Sequence, residues 1–359
     1  KGGIVKRTPL KDYRNVNKGG IIAVGRGLAL LGRSVNQPVW AALGLGGAIL
    51  HVWNHCLFKP LLFFGAGSIV HGAGTRHIDH LGGLARRMPR TAALFLVGAV
   101  AICALPPLNG FVSELLIYLG LFHTLDGQGN SQWAIAAAAV PALGLAGGLA
   151  AATFVKLFGA VFLGEPRSER TSHAHESPAT MLAAMAILAA LCIGLGAFPG
   201  MAAPLIDRAV AAWWPTNGTP VPPLRGLAPF GWLPFISFAL LGVSGAGFVV
   251  LRRKMSAADA DRPATWDCGY ANPSPRMQYT GSSLAQSLAA LFAWAILPHV
   301  RRTRVRGLFP KAGRFHSHVP DAVLDRVVLP IVRSTADFLR WGRLLQQGQI
   351  QVYVLYVLL

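Results

Sequence analysis

This sequence contains several apolar runs that are long enough to cross a bilayer, and they restrict the folds that the chain can adopt. A helix needs about 20 predominantly apolar residues to cross the hydrocarbon core. Such runs lie at about 39–70, 132–163, 179–198 and 229–251. A further stretch, about 91–122, has no charge before Glu114 and is too long for one untilted helix. Because lipid offers no partners for backbone polar groups, these runs predict helices.

The composition agrees with a membrane protein. Of the 359 residues, 53% are hydrophobic and 13% are charged, whereas soluble domains carry about 25% charged residues. The net charge of +19 would suit a nucleic-acid partner, but the basic residues cluster in loops beside the apolar runs, as topology signals do. A basic recognition face is not visible. The sequence therefore predicts an all-α, polytopic transmembrane helix bundle in the lipid bilayer, with no nucleic-acid partner.

The charge pattern also predicts the order of segments along the chain. We expect a divergent N-terminal segment with a short apolar helix at 1–32 and a transmembrane bundle at 33–254. A polar cytoplasmic loop with a weakly apolar segment follows at 255–298, then a basic amphipathic helix at 299–345 and the start of a last span at 346–359. Apolar residues at near-helical spacing over 323–332 predict that the amphipathic helix lies laterally along the membrane surface or across neighbouring helices. Since the sequence starts at Lys1 and stops inside an apolar run, we expect a fragment of a longer protein.

Three ionisable side chains share one face of the run at 39–70. His51, His55 and Lys59 are four residues apart, so they lie on one side of a helix. A lysine inside a bilayer costs about 2.5–3.5 kcal/mol, and such residues mark ion or proton paths. Histidine titrates near neutral pH and can both accept and donate a proton. The face predicts a proton relay, with interfacial snorkelling of Lys59 as the alternative. It lacks the carboxylates or cysteines that would favour a metal, so no metal is predicted.

Prolines interrupt two of the apolar stretches. Pro60 follows Lys59 directly and predicts a kink there. A break formed by Pro106, Pro107 and Gly110 interrupts the stretch at 91–122. Irregular backbone at membrane depth is tolerated only where it is buried in protein or lines a cavity. The carboxylate of Glu114, just after this break, is therefore predicted to be functional.

The remaining ionisable groups point less clearly to function. Lys156 lies inside the run at 132–163, and both a relay role and snorkelling stay open for it. His173 and His175 could bind a metal but are predicted to lie in a solvated turn, as are His71, His77 and His80. The four cysteines have no metal-ligand or redox spacing and are predicted to be small buried hydrophobes.

Several motifs resemble one family of membrane subunits. The segment HVWNHCLFKPLLFFGAG at 51–67 is similar to the proton-conducting antiporter-like subunits of respiratory complex I, Mrp-type cation/proton antiporters and membrane-bound nickel–iron hydrogenases. GTRHI at 74–78 and LGGL at 81–84 extend this similarity. Three further segments most resemble the large membrane subunit of hydrogenase-4 and formate hydrogenlyase, the component B type. They are LPPLNGFVSE at 105–114, WDCGY at 266–270 and MQYT at 277–280.

The resemblance implies a role for each polar residue. His51, His55 and Lys59 would form the central relay, Glu114 the exit-side charge on a broken helix, and Lys156 a connecting residue. The fold would be two inverted repeats, of which this chain lacks the N-terminal one. The amphipathic stretch would correspond to the lateral helix that some members carry.

The resemblance also implies a function and a setting. The chain would be a proton-translocating subunit of a hydrogenase-4-like, formate hydrogenlyase-like or complex I-like (NADH:quinone oxidoreductase) assembly in the bacterial cytoplasmic (inner) membrane. It would contain no catalytic centre and no cofactor, and separate membrane and hydrophilic subunits would carry the redox chemistry. A subunit of a cation (Na⁺)/proton antiporter and a non-conducting membrane anchor are the alternatives. Sodium is the alternative to the proton as the transported ion.

Overall fold

The fold is a bundle of helices, described by a computed structural model. The structure describes residues 19–125, 132–214, 219–258, 278–281, 283–302, 315–318, 321, 323–340 and 357. It divides into two compact units, one of residues 7–281 and one of residues 1–6 with 282–359. Each unit is considered by itself below.

The described part of the larger unit is helical. Its helices are α1 (Gly19–Ser34), α2 (Pro38–Ala73), α3 (Leu84–Arg87), α4 (Pro89–Ile102), α5 (Asn109–Leu125), α6 (Gln132–Phe162), α7 (Glu169–Ser172), α8 (Ala179–Ala197), α9 (Ala203–Trp213), α10 (Leu224–Leu227) and α11 (Leu233–Ala258). Two short 3₁₀ turns lie at Ile78–His80 and Pro199–Met201. Four helices of the described chain are long and apolar enough to cross a membrane, at Pro38–Ala73, Ala136–Phe162, Ala179–Ala197 and Leu233–Lys254. The prediction of a polytopic helix bundle is confirmed.

Helix α2 is the central element, and the residues at its two ends explain where it begins and where it stops. It starts at Pro38, whose fixed φ suits the first turn. It continues through Pro60 and ends where Gly74 takes a left-handed φ of 64° and donates its N–H to Val70 O. All three residues of the predicted relay face therefore lie on one 36-residue helix.

Helices α4 and α5 lie one after the other along α2, in the opposite direction. A Cβ added to Gly65 of α2 would lie 2.6 Å from the Phe95 ring of α4. Further back along α2, a Cβ on Gly47 would lie 3.2 Å from the carbonyl oxygen of Ser113 in α5. The small residues of α2 allow this close packing. As a result, the junction between α4 and α5 lies beside the middle of α2.

The predicted break is present at that junction. Helix α4 ends at Ile102 and α5 begins at Asn109, and the Pro106–Pro107 peptide bond between them is cis. A Cβ on Gly196 of α8 would lie 2.6 Å from the Asn109 backbone nitrogen. The break is therefore enclosed by protein on the sides of α2 and α8, as irregular backbone in a membrane requires.

Helix α1 packs against α2 as part of the bundle. Gly25 and Gly44 face each other so closely that a Cβ on Gly44 would lie 2.7 Å from Gly25 O. Ile21 and Leu28 are buried, whereas Arg26 is exposed. The charge within this short apolar helix thus lies on the face turned away from α2.

Three loops distant in sequence meet at the end of the bundle where α2 and α6 finish. The Gly83 N–H donates to Leu163 O at 2.9 Å. The Gln278 side chain bonds both backbone polar groups of Glu165, at 2.9 and 3.1 Å. The guanidinium of Arg167 donates to three backbone carbonyls, those of Leu81, Ala160 and Tyr279. These bonds hold the segment at 278–281 against the bundle.

Replacing Arg167 with alanine is expected to loosen this junction. Burial lowers the pKa of Arg167 and Asp79 opposes that shift, but arginine stays charged in proteins. Because hydrogen bonds to charged groups contribute about 1.5–3 kcal/mol each, we expect Arg167→Ala to lower the free energy of unfolding by about 3 kcal/mol. Thermal unfolding in detergent measures this. Arg170→Ala, at an exposed arginine of α7, is the control, and equal midpoints for the two variants would contradict the prediction.

The smaller unit contains a pair of strands that the sequence did not predict. Its described elements are α12 (Ser283–Leu291), α13 (Ala293–Ile296), β1 (His299–Arg302), β2 (Phe315–His318), a π-helical segment (Leu324–Val328) and α14 (Leu329–Leu339). The strands β1 and β2 pair antiparallel, with His299 opposite His318.

The amphipathic helix expected over 299–345 is therefore wrong at its start. Helical structure is described from Val323 to Arg340, and its apolar side chains are exposed, among them Val327 and Ile331. The apolar spacing that predicts a helix begins at Val323, and the basic run before it lacks that period. The expected last span at 346–359 lies outside the described residues, except for Val357.

Candidate functional site

His51 is the most deeply buried member of the predicted relay. Its ring is 0% exposed, and Nδ1 lies 3.0 Å from the Ser113 hydroxyl oxygen on α5. The Ser113 hydroxyl donates its single proton to Gly110 O at 3.0 Å. It therefore accepts from His51 Nδ1–H, which leaves Nε2 of the neutral ring as the proton-accepting nitrogen.

His55 lies one turn further along α2 and is half-buried. The centroids of the His51 and His55 rings are 6.3 Å apart. The buried Phe58 ring packs against both, with centroids at 6.2 Å from His51 and 5.4 Å from His55. The two imidazoles thus form a row with a phenyl ring beside them, as the four-residue spacing predicts.

Lys59 and Lys156 lie at similar depth in the bundle, on different helices. The Phe95 ring of α4 contacts Gly65 of α2 and packs on the Phe162 ring of α6 at a centroid distance of 5.3 Å. Lys59 precedes Gly65 by six residues, and Lys156 precedes Phe162 by six. At 1.5 Å per residue, each lysine lies about 9 Å from this shared level. Both are half-buried, and both helices finish at the same loop junction.

Glu114 is 8% exposed and lies on a different side of α5 from Ser113. Consecutive helical residues point about 100° apart. Glu114 lies close enough to Tyr118, one turn later, for the two to interact electrostatically. The Tyr118 hydroxyl in turn faces α6, 3.8 Å from where a Cβ on Gly144 would lie. Ser113 thus faces α2, while Glu114 belongs to the side of α5 that leads towards α6.

Three buried polar residues at this site were missed by sequence reasoning. Asn54, Asn109 and Ser113 are each 0% exposed. Asn54 lies between the two histidines, and its Nδ2 donates to the backbone oxygen of Asn109 at 2.7 Å. A signal for Asn54 was present, because it follows His51 by three residues and so shares its face. The signal for Asn109 and Ser113 was their position within and just after the proline–glycine break.

Four further histidines lie in two pairs at the loop end of the bundle. The rings of His71 and His175 are 5.6 Å apart between centroids, and those of His77 and His80 are 5.5 Å apart. His71, His80 and His175 are exposed. Within the described ranges, no group of three or more His, Cys, Asp or Glu side chains could hold a metal ion.

The matched family covers the central part of this site. Residues 27–144 match the family described as NADH:quinone oxidoreductase/Mrp antiporter, transmembrane. This range runs from α1 into α6 and includes the two histidines, Lys59, the break and Glu114, but not Lys156.

Individual relatives cover more of the chain. Hydrogenase-4 component B of Escherichia coli (strain K12) is 34% identical over 97% of this chain and 53% of its own length. Formate hydrogenlyase subunit 3 of the same organism is 32% identical over 79% of this chain and 45% of its own length. The chain therefore spans about half the length of these curated relatives.

A solved structure shares the fold. A chain in the structure of the membrane-bound sulfane sulfur reductase, an archaeal respiratory membrane complex, superposes with a TM-score of 0.56 at 22% identity. The superposition covers 99% of this chain and 56% of the other. The helix arrangement described above is thus also found in that membrane complex.

Proposed function

Since residues 27–144 belong to the NADH:quinone oxidoreductase/Mrp antiporter transmembrane family, we propose that the chain is a proton-translocating subunit of a hydrogenase-4-like or formate hydrogenlyase-like membrane complex. The observation that carries this proposal is the buried contact between His51 and Ser113, beside the helix break and next to Glu114 in sequence. Titratable groups in a row at membrane depth suit proton transfer.

The proposed mechanism uses the two histidines as carriers. A proton taken up at Nε2 converts the His51 ring to imidazolium, and its loss restores the neutral ring. Charge changes at Glu114 and Lys156 would control the protonation of Lys59. At an effective dielectric constant of about 20, two unit charges about 10 Å apart interact by about 1.7 kcal/mol, enough to favour or oppose proton binding by more than a factor of ten.

The proposal assigns the electron chemistry to other subunits. The chain itself would move protons without holding a redox group, and partner subunits, both membrane-embedded and hydrophilic, would supply the driving force. Its setting would be the bacterial cytoplasmic (inner) membrane.

Replacing Ser113 with alanine tests the contact that carries the proposal. A hydrogen bond is worth about 1 kcal/mol, which corresponds to about a fivefold change in rate. We therefore expect Ser113→Ala to reduce proton flux about fivefold in vesicles containing the intact complex. Ser113→Thr, which retains a hydroxyl, should conduct better than Ser113→Ala. Ser244→Ala, at an exposed serine of α11, is the matched control. Wild-type flux in Ser113→Ala would argue against a role for this contact.

A further inference from the structure

Two buried asparagines, one on α2 and one at the break, have side-chain polar atoms without a hydrogen-bond partner among the described residues. Asn54 and Asn109 are both 0% exposed. One amide hydrogen bond joins them, from Asn54 Nδ2 to Asn109 O. Among the described residues, Asn54 Oδ1 and both side-chain polar atoms of Asn109 have no hydrogen-bond partner. The Cys192 thiol lies beside Asn109, but a thiol is only a weak donor and acceptor.

The chemistry of these atoms favours water as their partner. Buried amides are nearly always hydrogen-bonded, either to protein or to ordered water. In either orientation of its side-chain amide, Asn109 offers an NH₂ group that donates and an oxygen that accepts, and Asn54 Oδ1 adds a second accepting oxygen. Water can donate to both oxygens and accept from the N–H. An alkali cation would take only the oxygens and would face the N–H group, which repels it.

The location of the pair connects it to the relay. Asn54 follows His51 by three residues and directly precedes His55 on α2. Asn109 precedes Ser113 by four residues on α5. The asparagine pair is therefore stacked about one helical turn, roughly 5 Å, from the bonded pair of His51 and Ser113.

We propose that Asn54 and Asn109 hold at least one ordered water that bridges His51 and His55 in the proton path, an inference that rests on the proposed function. The amides do not titrate, so they act as positioning residues for the water. Gly196 of α8 closes the site at backbone level, because a Cβ there would overlap the Pro107 carbonyl oxygen and lie 2.6 Å from the Asn109 nitrogen. Water held in this way would be trapped between helices.

Asn109→Leu tests the proposal with little disturbance of the packing. Leucine has a similar volume, removes both amide atoms and leaves the backbone carbonyl that Asn54 binds. In the intact complex in vesicles, we expect at least about a tenfold loss of proton flux and no increase in the thermal midpoint. Asn109→Ser retains a donor and an acceptor with room for water, and it should recover most of the flux. Unchanged flux together with a raised midpoint in Asn109→Leu would mean a dry site and would overturn the proposal.

Two further comparisons separate the possible failures. If Lys59→Met also conducts like the wild type, the proposed function itself fails. If Lys59→Met is inactive while Asn109→Leu conducts normally, only the water bridge fails. Equal concentrations of sodium chloride and choline chloride test for a cation. A sodium-specific rise in the thermal midpoint that disappears in Asn109→Leu would overturn the assignment of water.

Discussion

Replacing Lys59 with methionine is expected to abolish proton flux through the complex. Methionine has about the length of the lysine side chain's methylene stem and is apolar, so the membrane-spanning helix should stay folded. The titratable group on the relay face is lost, however, and positioned proton-transfer groups contribute about 10²–10⁴-fold to rates. We expect flux at least about 100-fold below the wild type in vesicles containing the complex.

Arginine at the same position separates charge from proton exchange. Lys59→Arg keeps a positive charge, but the guanidinium does not release its proton at any physiological pH. We therefore expect Lys59→Arg to be as inactive as Lys59→Met. Lys254→Met, at an exposed lysine near the end of α11, is the matched control and should conduct normally. Normal flux in Lys59→Arg would show that the relay needs only a fixed charge.

Gly110→Ala should have the largest effect on folding. A Cβ at this position would overlap the carbonyl oxygen of Ala101, which belongs to the backbone of α4. Overpacking a core typically costs about 1–3 kcal/mol. Here no side chain can rotate away, so we expect a loss of more than about 3 kcal/mol, a large part of a typical total stability of about 5–15 kcal/mol.

The matched control for this substitution is a glycine in open space. Nothing lies within 4 Å of a Cβ added to Gly148 of α6. Gly148→Ala should therefore be neutral or stabilise the helix by up to about 1 kcal/mol. The yield of folded protein and its thermal midpoint in detergent measure both variants. Similar midpoints for Gly110→Ala and Gly148→Ala would show that α4 and α5 do not meet as described.

Features set by local sequence could be predicted before the structure. The spans follow from apolar length, the break from Pro106 and Pro107, and the relay face from a four-residue spacing. The partner of His51 could not be found in this way. Ser113 lies 62 residues away, and the depth at which two segments meet is decided by packing between helices.

Packing through small residues was the second feature beyond sequence reasoning. Helix α1 is short and carries Arg26 inside an apolar run, yet the contact between Gly25 and Gly44 brings its backbone against that of α2. The paired strands at 299–302 and 315–318 were missed for a related reason. Strand pairing depends on a distant partner, whereas the helix predicted there was extended from the spacing of its neighbours.

Proton movement in sealed vesicles would show whether this chain carries protons along the face of α2. The complex would be purified, reconstituted, and driven by its own redox substrates while the internal pH is followed. The account predicts a pH change that a protonophore collapses, that persists without sodium and that is lost in Lys59→Met while redox turnover can still be measured. A full pH change in Lys59→Met would contradict the account.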